Sequence, residues 1–398
     1  MRYAHIVGWG CYLPEHVLTN DDLANIVETS HEWIYTRTGI RERRIAADKE
    51  STATLAFEAA ARALAIANIP SPKVDLIIVA TSTPEYIFPS TASQLQDYLG
   101  ATRAGAFDLS AACSGFVYGL SMAANAIASG SIDVALVVGA ETMSRVLDWQ
   151  DRGTCILFGD GAGAVVLRGS DVPGGVLAST LRSDGSGSNL LSLPNLSRNP
   201  VPIYGTTYAN GHHKQTVHMN GRQVFRFATK VISDSIEDVL EKANLSMDDV
   251  SLIIPHQANV RIVETAAKRL NVSVERFFLN VDRAGNTSAA SIPIALCDAI
   301  QNGRLQRDDH IVFVGFGGGL TWASAVIKWD VTPPEVTALR RNLRRARYVF
   351  ARARTRILRL GRQFVAWVGG SPTPEARLKD ADKKTTLPKS KIDDDHES

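Results

Sequence analysis

Apolar residues in this chain gather in short runs, bounded by small or charged residues and followed by segments in which apolar positions recur every three to four residues. "VDLIIVATS" from Val74, "DVALVVGAE" from Asp133, "VSLIIPHQA" from Val250 and "DHIVFVGFG" from Asp309 are such runs. Their length suits buried strands, and the segments between them suit helices, which predicts an α/β chain with mostly parallel sheets. The pattern also repeats. The Val74 run is answered at Val250, "AGAFDLSAACSGF" from Ala104 by "RFFLNVDRAGNTSAAS" from Arg276, and the Asp133 run at Asp309, each at an offset of about 175 residues. An offset of that size is too long for a solenoid repeat and predicts two duplicated α/β halves, residues 1–170 and 171–330.

In duplicated α/β units the loops beyond the carboxyl ends of the strands share one cleft. Cys113 lies there in the first half, its counterpart in the second is read as Asn286, and His256 ends the Val250 strand. A cysteine in the first turn of a helix meets unpaired amides and the positive end of the helix dipole, which favours the nucleophilic thiolate. Alone, His256 reads as a surface or capping residue and "GNTS" as an N-cap. Together with a thiol, imidazole and carboxamide can each donate to one developing oxyanion. The "GFGGGLTW" run lets a backbone N–H approach a ligand, so Gly318 and the Cys113 amide are candidates for an oxyanion hole.

The 398 residues are 45% hydrophobic and carry a net charge of +2, which suits a large globular core and argues against a nucleic-acid binder. Cys11, Cys155 and Cys297 read as small buried hydrophobes, and the absence of a C-x-x-C pair argues against disulfides and zinc. "GDGAGAVVL" from Gly159 precedes a strand, so it is not read as a dinucleotide loop. His212, His213 and His218 lack acidic or thiol companions, and no metal is expected. Neither a leader segment nor a membrane-length apolar run is evident, so the expected location is the cytoplasm.

Nearly all of residues 1–330 resembles the 3-oxoacyl-(acyl-carrier-protein) synthase III family. The resemblance runs through "YLPE" at Tyr12, "TSHEWIYTRTGIRERRIA" at Thr29, "FPSTASQLQ" at Phe88, "DLSAACSGF" at Asp108, "DRGTCILFGDGAGAVVL" at Asp151, "PHQANVRI" at Pro255, "GNTSAAS" at Gly285 and "FGGGLTW" at Phe316. It implies a thiolase-like fold layered αβαβα and a decarboxylative condensation that initiates fatty acid synthesis. Cys113 would accept the acyl group of an acyl-CoA, and His256 and Asn286 would hold the malonyl thioester of an acyl carrier protein. Coenzyme A would enter as a substrate thioester, with no cofactor. Trp33 and Arg152 would sandwich its adenine, Arg37 would meet phosphate, and Thr29, Gly221, Phe225 and Asn259 would line the pantetheine tunnel. Phe88 would close the acyl pocket across a homodimer, its bulk implying a short starter such as acetyl-CoA. Arg222, Arg226 and Lys230, with Arg261 and Lys268, would dock the acidic carrier protein. The other readings are a specialised condensing or acyl-transfer enzyme of secondary metabolism, and a binding or tethering module.

Beyond Asp330 the chain departs from the family pattern. Residues 331–370 carry an apolar seam with ten arginines between Arg340 and Arg362. They predict a basic amphipathic helix, Val336 to Val368, for a membrane surface, an acidic partner, its own body or a second copy. Residues 371–398 read as a disordered tail.

Overall fold

The computed structural model describes residues 2–194 and 216–330; the predicted C-terminal helix and tail, and His212 and His213, lie outside the described residues. The first sheet takes strands Tyr3–Tyr12, Leu76–Ala80, Gly105–Leu109, Val134–Thr142 and Asp160–Ser170. The second takes Gly175–Ser183, Val250–Pro255, Asp309–Gly317 and Thr321–Trp329. Strand Leu76–Ala80 runs parallel to both Gly105–Leu109 and Val134–Thr142, and Val250–Pro255 runs parallel to Asp309–Gly317. The remaining pairs in these sheets are antiparallel, so both are mixed, with the parallel strands at the end that feeds the loops carrying Cys113 and His256.

Helices Gly115–Ala128 and Ser291–Gln301 pack between the sheets, touching strands of both. Helices Thr52–Ala67 and Thr91–Leu99 cover the outer face of the first sheet, and Gly221–Ala243 and Val260–Arg269 that of the second, which gives the five layers expected. The central core holds Phe116, Val117, Leu120, Ile292, Leu296, Phe313 and Trp329, among others. Helix Gly115–Ala128 buries residues nearly all round, as a helix between two sheets must.

Two close approaches aim the halves at each other. A Cβ on Gly139 would lie 2.2 Å from the Ala289 carbonyl oxygen, and one on Gly317 would lie 2.7 Å from the Cys113 nitrogen. Both positions therefore exclude any side chain, and loops from opposite halves meet there. No helix among the described residues is long and apolar enough to cross a membrane.

Candidate active site

Strand Gly105–Leu109 ends in a turn whose backbone reverses at Ala112, where φ is +46°, before Cys113 and the helix from Gly115. A non-glycine residue at positive φ is held there only by its surroundings. The second half repeats this turn at Ser288, with φ +48°, ahead of helix Ser291–Gln301. By position the counterpart of Cys113 is therefore Ala289, in the matching turn, and not Asn286 as the repeat suggested; Asn286 stands just ahead of the turn.

The two turns face each other. The Cys113 thiol donates to the Ser288 hydroxyl at 3.4 Å, and the Ser288 N–H donates to Asn286 Oδ1 at 2.9 Å. With Oδ1 engaged, the amide NH₂ is the end of Asn286 left to meet a ligand. His256 follows strand Val250–Pro255, anchored by its N–H on the Val314 carbonyl at 2.8 Å. Its Nδ1 lies 2.7 Å from the Ser291 hydroxyl, which also receives the Gln257 N–H at 3.4 Å. The Ser291 hydroxyl can act as donor or acceptor to Nδ1, and in the tautomer in which it donates the imidazole proton lies on Nε2. Phe316 packs edge-on against the ring, centroids 5.1 Å apart. Residues 286–291 thus bracket all three predicted catalytic groups, and Cys113, His256 and Asn286 are each buried.

Burial governs the electrostatics. It pushes the Cys113 thiol up to about 12, against the lowering effect of the Ser288 hydrogen bond and with a further rise from the nearby Glu141 carboxylate. The resting sulfur is a thiol, contrary to the thiolate expected from helix position. The physical reason is that desolvation in this pocket outweighs the hydrogen bonds that favour the thiolate. Burial alone pushes His256 down to about 3, so its ring is a neutral donor across the physiological range.

Gly317 makes the closest glycine approach to Cys113, while Gly318 sits beside Ala112 and its carbonyl accepts from Thr321 Oγ1 at 3.0 Å. Ser114 Oγ donates to Thr321 Oγ1 at 2.8 Å, tying the glycine loop to the Cys113 turn.

The predicted coenzyme A residues form a second cluster. Trp33 and Arg37 lie one turn apart on helix His31–Thr38, and the Trp33 ring carries the Arg37 guanidinium at 4.4 Å and that of Arg152 at 4.6 Å. Arg152 is held by the Glu28 carbonyl at 2.9 Å. Asn259 caps helix Val260–Arg269 and donates to the Arg37 carbonyl at 2.9 Å. The Thr29 hydroxyl is buried without a hydrogen-bond partner among the described residues. Gly221 opens helix Gly221–Ala243, and Phe225, one turn on, lies under the Arg261 guanidinium at 5.9 Å. Arg222, Arg226 and Lys230 on helix Gly221–Ala243, and Arg261 and Lys268 on helix Val260–Arg269, are all exposed. Phe88 is 86% exposed beside exposed Tyr86 and Ile87.

Ser288, Ser291 and Glu141 were not singled out from the sequence. The signal was present: both serines belong to "GNTSAAS", and Glu141 ends the Asp133 run, a carboxylate where a strand meets the cleft.

Comparison with known proteins decides the family. A family model described as 3-oxoacyl-[acyl-carrier-protein (ACP)] synthase III matches residues 107–185, and its C-terminal companion matches residues 240–329. A beta-ketoacyl-[acyl-carrier-protein] synthase III of Roseiflexus castenholzii is 50% identical over 329 residues, 83% of this chain and 99% of the relative.

The chain belongs to the 3-oxoacyl-[acyl-carrier-protein] synthase III family.

The corresponding Xylella fastidiosa synthase is 50% identical over 327 residues, 82% of this chain and 98% of that one. The crystal structure of the Aquifex aeolicus synthase III matches with a TM-score of 0.76 at 46% identity, covering 82% of this chain and 99% of that chain. That of the Pseudomonas aeruginosa synthase matches at 0.77 and 43%, covering 83% and 100%. The fold is thiolase-like, and the chain is an acyltransferase of the initiating, condensing class.

Proposed function

We propose that this synthase joins the acyl group of an acyl-CoA to the malonyl group of a malonyl-acyl carrier protein, with Cys113, His256 and Asn286 as its catalytic residues. The observation that carries the reading is the bracket 286–291, which binds the thiol, holds the carboxamide and orients the imidazole within one stretch of chain. Cys113 sulfur attacks the acyl thioester, and the oxyanion is received by the backbone N–H groups of Cys113 and Gly318. Coenzyme A leaves. The malonyl thioester carbonyl then accepts from Nε2–H of His256 and the NH₂ of Asn286. As carbon dioxide departs, the carbanion is stabilised as an enolate on that oxygen and attacks the acyl-cysteine. A neutral imidazole suits this role, since it donates without adding a charge to a dry pocket.

Trp33, Arg37 and Arg152 receive the nucleotide end of coenzyme A, and Thr29, Gly221, Phe225 and Asn259 line the way to Cys113. The unpartnered Thr29 hydroxyl supports a ligand at that point. The exposed Arg222, Arg226, Lys230, Arg261 and Lys268 form one basic face for the acidic carrier protein. A homodimer is supported by strand Gly105–Leu109 at the edge of the first sheet and by Tyr86, Ile87 and Phe88 exposed nearby in sequence; Phe88 then serves the partner's acyl pocket.

The test is intact-protein mass spectrometry after acetyl-CoA, then malonyl-carrier protein. An acetyl adduct on Cys113 that is discharged as 3-oxoacyl-carrier protein supports the reading. An adduct formed equally well by Cys113→Ala overturns it.

A further inference from the structure

Arg43 has no solvent exposure, and after Trp329 it is the largest side chain so buried among the described residues. Its hydrogen bonds go to neutral oxygens. Nη1 donates to the Leu18 carbonyl at 3.1 Å and to Asn20 Oδ1 at 2.9 Å, and Nη2 donates to the Ile156 carbonyl at 2.6 Å. No carboxylate among the described residues forms an ion pair with it. Burial pulls the guanidinium down to about 10, which leaves it charged at neutral pH. A charge kept in a dry interior is a poor way to stabilise a core, so the use of Arg43 is to be sought in what it holds.

What it holds leads to Asn286. Leu18 faces Arg43 across the hairpin of strands His16–Thr19 and Glu42–Ile45, so Nη1 bonds locally, whereas Nη2 reaches a residue 113 positions away in sequence. Just beyond Ile156 the chain pairs with Asn286 as a parallel bridge at Phe158. The Asn286 N–H donates to the Leu157 carbonyl at 2.9 Å, and the Gly159 N–H donates to the Asn286 carbonyl at 3.0 Å. Both backbone groups of Asn286 therefore rest on residues 157–159. The far end of that stretch is held at Asp160, whose carboxylate accepts from the Ser144 N–H and hydroxyl and from the Ala46 N–H. The near end is held by Arg43. Its stem also fills the corner: a Cβ on Gly285 would lie 2.9 Å from Arg43 Cβ, and one on Gly159 would lie 3.0 Å away. With Oδ1 fixed by the Ser288 N–H, the carboxamide NH₂ goes where this backbone puts it.

We propose that Arg43 is a positioning residue for condensation, setting the place of the Asn286 carboxamide through the Ile156 carbonyl and through its packing on Gly285. The contacts named above are all with protein, so it acts through Asn286. The inference rests on the reading of Asn286 as a donor to the malonyl carbonyl.

The test compares wild type with Arg43→Met, Arg43→Lys, Asn286→Ala and the double variant Arg43→Met/Asn286→Ala. Methionine keeps an unbranched stem and removes the donors. Quench-flow mass spectrometry follows acylation of Cys113 by acetyl-CoA, and release of labelled carbon dioxide from malonyl-carrier protein follows condensation by the acetylated enzyme. Arg43→Met is expected to slow condensation roughly 10- to 100-fold, in kcat and not in KM, as a displaced group does, with acylation within about threefold of wild type. Asn286→Ala, which removes the donor outright, should cost roughly 100- to 1000-fold. Arg43→Lys, with one ammonium to offer the Ile156 carbonyl, should recover part of the rate. Adding Arg43→Met to Asn286→Ala should slow condensation by no more than about twofold further, because the group that Arg43 places is already gone.

Condensation by Arg43→Met within about threefold of wild type, equal losses in both half-reactions, or losses that multiply in the double variant would each overturn the positioning role. Thermal melts report folding. Should Arg43→Met not fold, Arg43→Lys decides by the same split, a condensation loss of more than about threefold with acylation unchanged being the supporting result. If neither folds, Arg43 serves the fold and the proposal is lost. Normal condensation by Asn286→Ala overturns the reading of Asn286 itself, whereas a normal Arg43→Met beside an impaired Asn286→Ala overturns this inference alone.

Discussion

The Arg152 guanidinium lies over the Trp33 ring at 4.6 Å, on the aromatic surface proposed to stack against adenine. A base entering there exchanges a cation–π contact for a π-stack and leaves Arg152 to cover the other side of the base. Cation–π contacts at exposed sites are worth about 0.5–1 kcal/mol, less than the roughly 1–3 kcal/mol of a stacked base, so the exchange favours the ligand.

Trp33→Ala is accordingly expected to weaken acyl-CoA binding about tenfold or more, with the acylation rate at saturation changed little. Titration calorimetry with coenzyme A gives the affinity, and the KM and kcat of acylation separate binding from chemistry. A tryptophan fluorescence change on ligand addition should disappear in the same variant.

His256→Ala and Asn286→Ala are expected to spare acylation and to lose condensation, each by roughly 100- to 1000-fold, since each removes a donor to the enolate oxygen. Adduct formation measured by mass and carbon dioxide release measured separately report the two steps. Equal losses in both would place these side chains at the wrong carbonyl.

The depressed His256 also predicts a pH dependence of stability. In the unfolded chain the imidazole takes up a proton near pH 6.5, in the folded protein not until about pH 3. Between those values the unfolded state binds more protons, so stability falls as pH drops through the window. At pH 5 the penalty is about 2 kcal/mol from this group. Melts of wild type and His256→Asn from pH 8 to 5 should converge, the wild type losing more.

Arg226→Glu and Lys268→Glu reverse charge on the exposed face. They should raise the KM for malonyl-carrier protein roughly tenfold at low ionic strength, while acylation by acyl-CoA stays within about twofold. Added salt should bring wild type toward the variants. Unchanged carrier-protein kinetics would move the docking face elsewhere.

The layered architecture and the loops that carry the chemistry were legible in the sequence because strand runs, their spacing and the repeat are local or simply periodic features. Cys113, His256 and Asn286 fall where those loops fall. The pairing of Cys113 with Ser288 was not legible, since it depends on how the two halves face each other across Gly139 and Gly317. Glu141 could be marked as a carboxylate ending a strand run, but its donors come from residues 81–83, on the loop after another strand, and the run gives no sign of them. The protonated state of Cys113 was missed because a helix start can be read from a sequence and desolvation cannot.

Cys113, the proposed nucleophile, stands 175 residues ahead of the hydroxyl to which it bonds. A ribosome therefore delivers the thiol long before the groups that give it a task. Until residues 286–291 are added and the second half closes against the first, Cys113 is an ordinary cysteine on an unfinished sheet, with no oriented imidazole and no carboxamide beside it. The proposed condensation is thus among the last properties the growing chain acquires, and a product of interrupted synthesis that stops short of Asn286 lacks the carboxamide assigned to it.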